Sequence, residues 1–254
     1  MRIDDVSRFL MFHERIPIMK MMSAVYWLAG LHNVANRHSV LLKNMELAGD
    51  SFVLALLCSG ADSSSGEAAS GYVAEEMEKW HQQNHLLIML RNKPLRWIKR
   101  SLASTLKTVH GDLVQHGKKQ EIFLGVSFVL CAVWREKYVI MHMGEVEALQ
   151  FGRFREKNLE KRPKKQPGPL DLLGASDFKA LKFRYGRVKR GQGMLICSGN
   201  MINQLSKGRV FEVFKPSEFR NESQIARRLA SLADYIRRRD GGADCAAIYM
   251  RFGR

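Results

Sequence analysis

The residue type that most readily suggests chemistry in this 254-residue chain is cysteine, because a thiolate can bind zinc or act as a nucleophile. The four cysteines are Cys58, Cys131, Cys197 and Cys245. They are far apart, none forms a Cys-x-x-Cys pair, and each lies in an apolar run. This pattern predicts reduced cysteines in the core. The chain also has no nucleophile elbow, phosphate-binding glycine loop or His-Glu-x-x-His sequence.

A second pattern consists of short glycine-containing segments that follow or precede strand-like apolar runs. In one of them, Gly191 and Gly193 mark a turn that leads into Met194-Leu195-Ile196, and the polar sequence Cys197-Ser198-Gly199-Asn200 follows. The other segments are residues 30–38, 54–70, 125–127 with 144–148, and 242–248. Each segment alone is a weak signal, and their order along the chain makes them informative together.

Taken in order, these segments resemble the PPM family, the type 2C metal-dependent serine/threonine protein phosphatases. Residues 191–201 are similar to the family's Gly-Asp-x-Leu-Leu-x-Cys-Ser-Asp-Gly-Leu, and residues 30–38 to its Gly-x-Val-Arg-x-x-Asn-x-Asp. Gly60 and the sequence Gly66-Glu67-Ala68-Ala69-Ser70 match its glycine loop and the helix start after it. The resemblance covers residues 25–254.

This resemblance implies an α+β fold, the PPM-phosphatase-like four-layer α-β-β-α sandwich of two antiparallel sheets flanked by helices. We divide the chain into an N-terminal helical lead-in, residues 1–24, and a PPM-type phosphatase-like domain, residues 25–254. The hydrophobic periodicity predicts the elements of that domain. They are strands at 39–43, 51–58, 122–134 and 138–143, a third strand of that meander at 148–154, a polar loop at 156–169, and helices at 66–84, 95–115 and 224–238.

The same resemblance implies that most catalytic side chains of the family are missing here. His38, Ser59 and Gly199 stand where the family has acidic metal ligands, and Asn33 stands in place of its phosphate-binding arginine. Asp244 is the only retained ligand among the metal-binding carboxylates. Together with Gly60 and Glu145, these residues form the expected vestigial metal and phosphate site.

Loss of these side chains argues against hydrolysis by two bridged metal ions. Magnesium and manganese prefer carboxylate ligands, and each carboxylate about 4 Å from a divalent ion contributes on the order of 8 kcal/mol at an effective dielectric constant near 20. We therefore predict a catalytically inactive pseudophosphatase without a cofactor, which acts as a protein-binding or regulatory module. A divergent active serine/threonine phosphatase that uses manganese or magnesium is the alternative.

The net charge of +16 indicates a basic protein and bears on its partners. The excess is clustered in residues 153–165, 179–190 and 237–239, which favours an acidic or phosphorylated protein partner. The candidate partner-binding residues are Arg153, Arg155, Lys161, Arg162, Lys164 and Lys165. A solvated surface explains the same charges, and a binder of nucleic acid or another polyanion is a second alternative that no motif supports.

The sequence also bears on location. No window reaches the roughly 18 apolar residues that a membrane span requires. The first residues include Asp4, Asp5 and Glu14, which is atypical of a signal peptide. We expect a cytoplasmic protein with no membrane partner.

Overall fold

The structure is a computed structural model that describes residues 21–28, 36–47, 49–61, 65–153, 155–159, 171–175, 181–203, 207–239 and 244–253. Its ten described strands form two five-stranded antiparallel sheets. The first sheet has the order β1 (Met21–Leu28), β10 (Cys245–Phe252), β9 (Gln192–Cys197), β6 (Glu147–Phe151), β7 (Glu156–Asn158). The second has the order β2 (His38–Leu47), β3 (Asp50–Gly60), β4 (Val126–Trp134), β5 (Lys137–Met143), β8 (Lys182–Arg187).

Helices cover the outer face of each sheet. The helices α1 (Gly66–Leu90) and α2 (Leu95–Gln120) pack on the second sheet. The first sheet is covered by α3 (Gly199–Asn203), α4 (Lys207–Val213), a short 3₁₀ helix (Pro216–Glu218) and α5 (Glu222–Arg239). No helix within these described ranges has the length and apolar character needed to cross a membrane.

The continuous apolar sequence of β3 shows why the layers form. Successive side chains of a strand point to opposite faces, so an uninterrupted apolar run requires cover on both faces. Phe52, Leu54 and Leu56 contact the helical layer, while Val53 and Leu57 contact the other sheet. All are buried. The predicted four-layer α-β-β-α fold is therefore confirmed.

Three local predictions were wrong. The strand predicted at 148–154 as the third strand of the meander is β6, which leaves the second sheet and pairs with β9 and β7 in the first. Its five residues are all buried, and apolar alternation alone cannot distinguish between two sheets that share a core. Part of the predicted loop at 156–169 forms β7, a short polar strand held by backbone pairing with β6.

The third correction concerns the N-terminal boundary. Residues 21–24 belong to β1, whose backbone pairs with β10 from Met21↔Phe252 to Leu28↔Cys245, and not to a helical lead-in. The sequence Met21-Met22-Ser23-Ala24 suits a strand as well as a helix. The rest of the predicted lead-in, residues 1–20, lies outside the described residues.

Glycine is required at position 60 because the end of β3 packs directly on the start of α1. A Cβ atom at Gly60 would overlap the backbone of Gly66. The Gly60 N–H donates to the Arg37 carbonyl at 2.9 Å, and the Ala61 N–H donates to the Gly125 carbonyl at 2.8 Å. The end of β3 is thus fixed against three neighbouring segments, and this fixes Ser59 beside the start of β2.

We expect Gly60→Ala to lower the free energy of unfolding by about 1–3 kcal/mol, because the added methyl group meets backbone atoms that cannot rotate away. Gly111→Ala is the matched control, since nothing lies within 4 Å of a Cβ there. In the exposed helix interior that change should raise the free energy of unfolding by up to about 1 kcal/mol. Urea denaturation measures both, and an equal effect of the two substitutions would contradict the packing described.

Candidate functional site

Strand ends of both sheets meet at one end of the fold, beside a cleft of about 190 Å³. The strands β2 and β10 begin there with His38 and Cys245, β4 begins at Val126, and β3 and β9 end there at Gly60 and Cys197. The apolar core between the two sheets ends at these strand ends, and polar side chains line the cleft beyond it.

Most residues of the predicted vestigial site lie together in this cleft. Its lining includes His38, Ser59, Gly60, Glu145 and Gly199. His38 and Ser59 are directly opposite each other in the β2–β3 pairing, which places their Cβ atoms about 5 Å apart.

Asp244 and Ser127 also lie at this cleft. Asp244 directly precedes β10 and contacts two residues of the cleft wall. Ser127 lies opposite Ser59 on the other side of β3. The predicted residue Asn33 lies outside the described residues.

The retained carboxylate is held by an arginine. Both the backbone N–H and the Nε–H of Arg37 donate to Asp244 Oδ2, at 3.2 and 3.3 Å. The Asp244 side chain is fully buried, whereas that of Arg37 is 30% exposed. A positive charge that belongs to the chain itself therefore faces the carboxylate that the resemblance assigns to a metal.

His38 adds a neutral ring to the same cleft. It is buried, and its Nε2 lies 3.3 Å from the Asp244 carbonyl oxygen, which can only accept a hydrogen bond, so Nε2 carries the proton. Among the described residues, His38 Nδ1 has no hydrogen-bond partner. Burial lowers the pKa of His38, and the nearby Arg37 charge lowers it further against the opposing effect of Asp244. At neutral pH the imidazole is uncharged, and Arg37 is the cation that faces Asp244.

A side chain at position 199, where the resemblance places an aspartate, would be tightly packed. Gly199 begins α3, and a Cβ atom there would lie 3.0 Å from the Glu145 carbonyl oxygen. The neighbouring Ser198 is fixed by its N–H bond to the Ala246 carbonyl at 2.9 Å. Glu145 itself is exposed on the turn before β6. The backbone at Gly199 is thus packed closely enough that a larger side chain requires a shift of its neighbours.

The donor set of this cleft does not fit a pair of divalent cations. Such ions need several oxygen ligands, chiefly carboxylates. Asp244 already accepts two hydrogen bonds from Arg37, and Glu145 is an exposed carboxylate on a turn. His38, Ser59 and Gly199 offer an imidazole, a hydroxyl group and no side chain. In the part of the chain that the structure describes, no group of three or more His, Cys, Asp or Glu side chains is arranged to hold a metal ion.

The cysteines lie in the core and do not form a replacement metal site. All four are buried and none forms a disulfide. Cys58 packs with the helical layer of the second sheet, and Cys197 and Cys245 pack with that of the first. Burial raises the pKa of Cys131 to about 12 and also raises the pKa of Cys58, so both thiols stay protonated at neutral pH. This is the arrangement that the apolar sequence around each cysteine predicts.

Arg37 is the residue that sequence reasoning missed. The signal in the sequence was a cation directly before His38, the position to which the resemblance assigns an acidic ligand. Its partner is 207 residues away in the chain, so the pairing emerges only from the fold.

Comparison with known proteins supports the fold. Neither a protein-family model nor a curated protein sequence matches this chain. Among solved structures, the serine/threonine phosphatase Stp1 from Staphylococcus aureus superposes with a TM-score of 0.75 at 13% identity, over 94% of this chain and 98% of that chain. The catalytic domain of the phosphatase PstP in complex with two manganese ions gives 0.71 at 14% identity, over 92% and 99%.

A third similar structure is PppA, described as a key regulatory component of T6SS in Pseudomonas aeruginosa, with a TM-score of 0.71 at 15% identity over 92% of this chain and 99% of that chain. These structures superpose on this chain along more than nine-tenths of its length. The chain therefore has the fold of the PPM-type serine/threonine phosphatases.

Proposed function

We propose that this chain is a pseudophosphatase, a PPM-fold domain that does not hydrolyse phosphate esters and acts by binding another protein. The observation that carries the proposal is the ion pair between Arg37 and the buried Asp244. In this pair the protein supplies its own cation at the carboxylate, without any need for a cofactor.

The energetic argument concerns what a metal ion would have to displace. At an effective dielectric constant near 20, a divalent ion about 4 Å from the guanidinium group experiences a repulsion on the order of 8 kcal/mol. Exposure of Arg37 reduces this value, since its side chain is 30% exposed and able to turn towards solvent. Turning away would break the bond from the Arg37 Nε–H to Asp244 and leave Asp244 and the exposed Glu145 as the described carboxylates of the cleft.

The binding role rests on different support. The PPM fold occurs in PppA, which is described as a regulatory component, so the fold has a regulatory precedent. The net charge of +16 favours an acidic or phosphorylated protein. Of the candidate partner-binding residues, Arg153 and Arg155 are exposed beside the β6–β7 turn, and the other four lie outside the described residues. A cytoplasmic location is part of this proposal and rests on sequence alone.

The direct test is a turnover assay with p-nitrophenyl phosphate and a phosphoserine peptide in millimolar manganese. We expect no phosphate release above that of the Asp244→Asn variant, because the cleft lacks the carboxylates that would hold the metals. Addition of a chelator should change the rate of phosphate release in neither protein. Manganese-dependent release that disappears in Asp244→Asn would establish the alternative, a divergent active phosphatase.

The ion pair itself is testable by a double-mutant cycle. Arg37→Met should lower the free energy of unfolding by about 1–3 kcal/mol, because it removes the guanidinium charge beside a buried carboxylate. In the Arg37→Met/Asp244→Asn double variant the two effects should be non-additive, with a coupling energy of about 1–2 kcal/mol.

The control for this cycle is the exposed pair Arg135–Asp50, whose side chains are 42% and 33% exposed at a distance of 2.7 Å. There the coupling energy should lie at about 0–1 kcal/mol. Equal coupling energies for the two pairs would show that Asp244 does not depend on Arg37.

A further inference from the structure

The strand β8 is an edge strand whose outer side is unpaired within the described part of the chain. It pairs on one side with β5, from Lys137↔Arg187 to His142↔Lys182. It is the last strand in the order of the second sheet. An edge of this kind exposes N–H and C=O groups that another extended segment can bind.

The hydrogen-bond pattern shows which groups face outward. The Val188 N–H donates to the Glu136 carbonyl at 2.8 Å, so these two residues form a hydrogen-bonded pair of the antiparallel ladder. Such pairs alternate along the strands, which makes Arg184↔Ile140 a hydrogen-bonded pair as well. The backbone groups of the intervening residues, Phe183 and Tyr185, therefore point away from β5 and towards the free edge.

Large exposed aromatic rings occupy the face of β8 that adjoins the helices. Phe183 is 36% exposed and Tyr185 is 50% exposed. The Lys99 Nζ atom of α2 lies 4.2 Å from the centre of the Phe183 ring. These rings offer apolar contact to alternate side chains of an added strand, with a cation at their border.

The edge of β8 also borders a cavity of about 610 Å³. Its lining includes residues of both faces of the strand, namely Ile140, Leu159, Lys182, Phe183, Arg184 and Tyr185. Arg184 donates a hydrogen bond to the Asn158 carbonyl at 3.2 Å. The cavity thus combines apolar and aromatic walls with basic side chains along the edge.

We propose that the β8 edge binds an extended acidic segment of a partner protein as an added antiparallel or parallel strand. This inference rests on the proposed binding function and names the surface and the chemistry of the partner. Backbone pairing with Phe183 and Tyr185 provides the attachment, and the aromatic rings on one face and the basic side chains on the other contact alternate side chains of the added strand.

The charge around the β8 edge favours an acidic segment over a second copy of this edge. The residues around the edge include the cations Lys99, Lys137, Lys182, Arg184 and Arg187. The nearby anions include Asp171, which lies 3.7 Å from Lys182, and Glu136. A second copy of this edge would bring the same excess of positive charge and be repelled, whereas an acidic strand is attracted.

The test uses a fluorescent eight-residue peptide of alternating Glu and Val, with the whole chain and anisotropy as the readout. We expect saturable binding that weakens as salt is added, and no binding of the corresponding Lys-Val peptide. Reversing two charges in Lys182→Glu/Arg187→Glu should weaken binding roughly tenfold. The matched control, Arg227→Glu/Arg228→Glu on the exposed face of α5, changes the net charge equally and should retain the affinity.

Two further measurements distinguish strand addition from nonspecific electrostatic attraction. Tyr185→Pro removes an outward N–H while the bonds to β5 remain, and it should abolish binding. If that variant does not fold, peptides N-methylated at every Val or at every Glu replace it, and one of the two must lose binding. No binding of the parent peptide, equal weakening by both double variants, or full binding by both methylated peptides would overturn the proposal. None of these outcomes bears on turnover, which tests the proposed function separately.

Discussion

The apolar contact between the two sheets is the constraint on which the rest of the molecule depends. Val53 and Leu57 of β3 meet residues such as Ile248 and Met250 of β10 across this interface, and all of them are buried. The interface aligns the strand ends of both sheets, and the candidate cleft lies where the apolar contacts stop. A side chain that is buried at that border is shielded from water, so a charge on it needs an opposite charge nearby.

Asp244 illustrates this requirement. Its side chain is fully buried, and a carboxylate in that position is stabilised by a cation nearby, whether a metal ion or a basic side chain. In this chain that cation is Arg37, the residue directly before β2. The buried Asp244 carboxylate is therefore compensated by a charge within the protein itself.

Much of the fold could be predicted from sequence, because its signals are local. The apolar run of β3 requires cover on both faces, and the glycines at positions 60 and 144 keep their conformational and packing roles. Gly144 has φ +79°, and a Cβ atom there would overlap the Ser127 side chain. Glycine motifs of this kind predict the local backbone geometry and do not predict activity, because glycine is needed there for close packing against the backbone.

The features that could not be predicted from the sequence depend on contacts between residues that are far apart in the chain. The Arg37–Asp244 pair spans 207 residues, and the choice of sheet for β6 depends on packing that alternation does not encode. The exposed edge of β8 is a third case. Its residues were predicted only as part of a basic cluster, and their role at the border of a sheet follows from the strand order.

The central claim is that Arg37 takes the place of a metal ion at Asp244. Anomalous X-ray diffraction at the manganese absorption edge, from crystals grown in millimolar manganese, tests it most directly. Our account predicts no anomalous peak within bonding distance of the Asp244 carboxylate, with the Arg37 guanidinium in place beside it. A manganese peak coordinated by Asp244, with Arg37 turned towards solvent, would contradict the account.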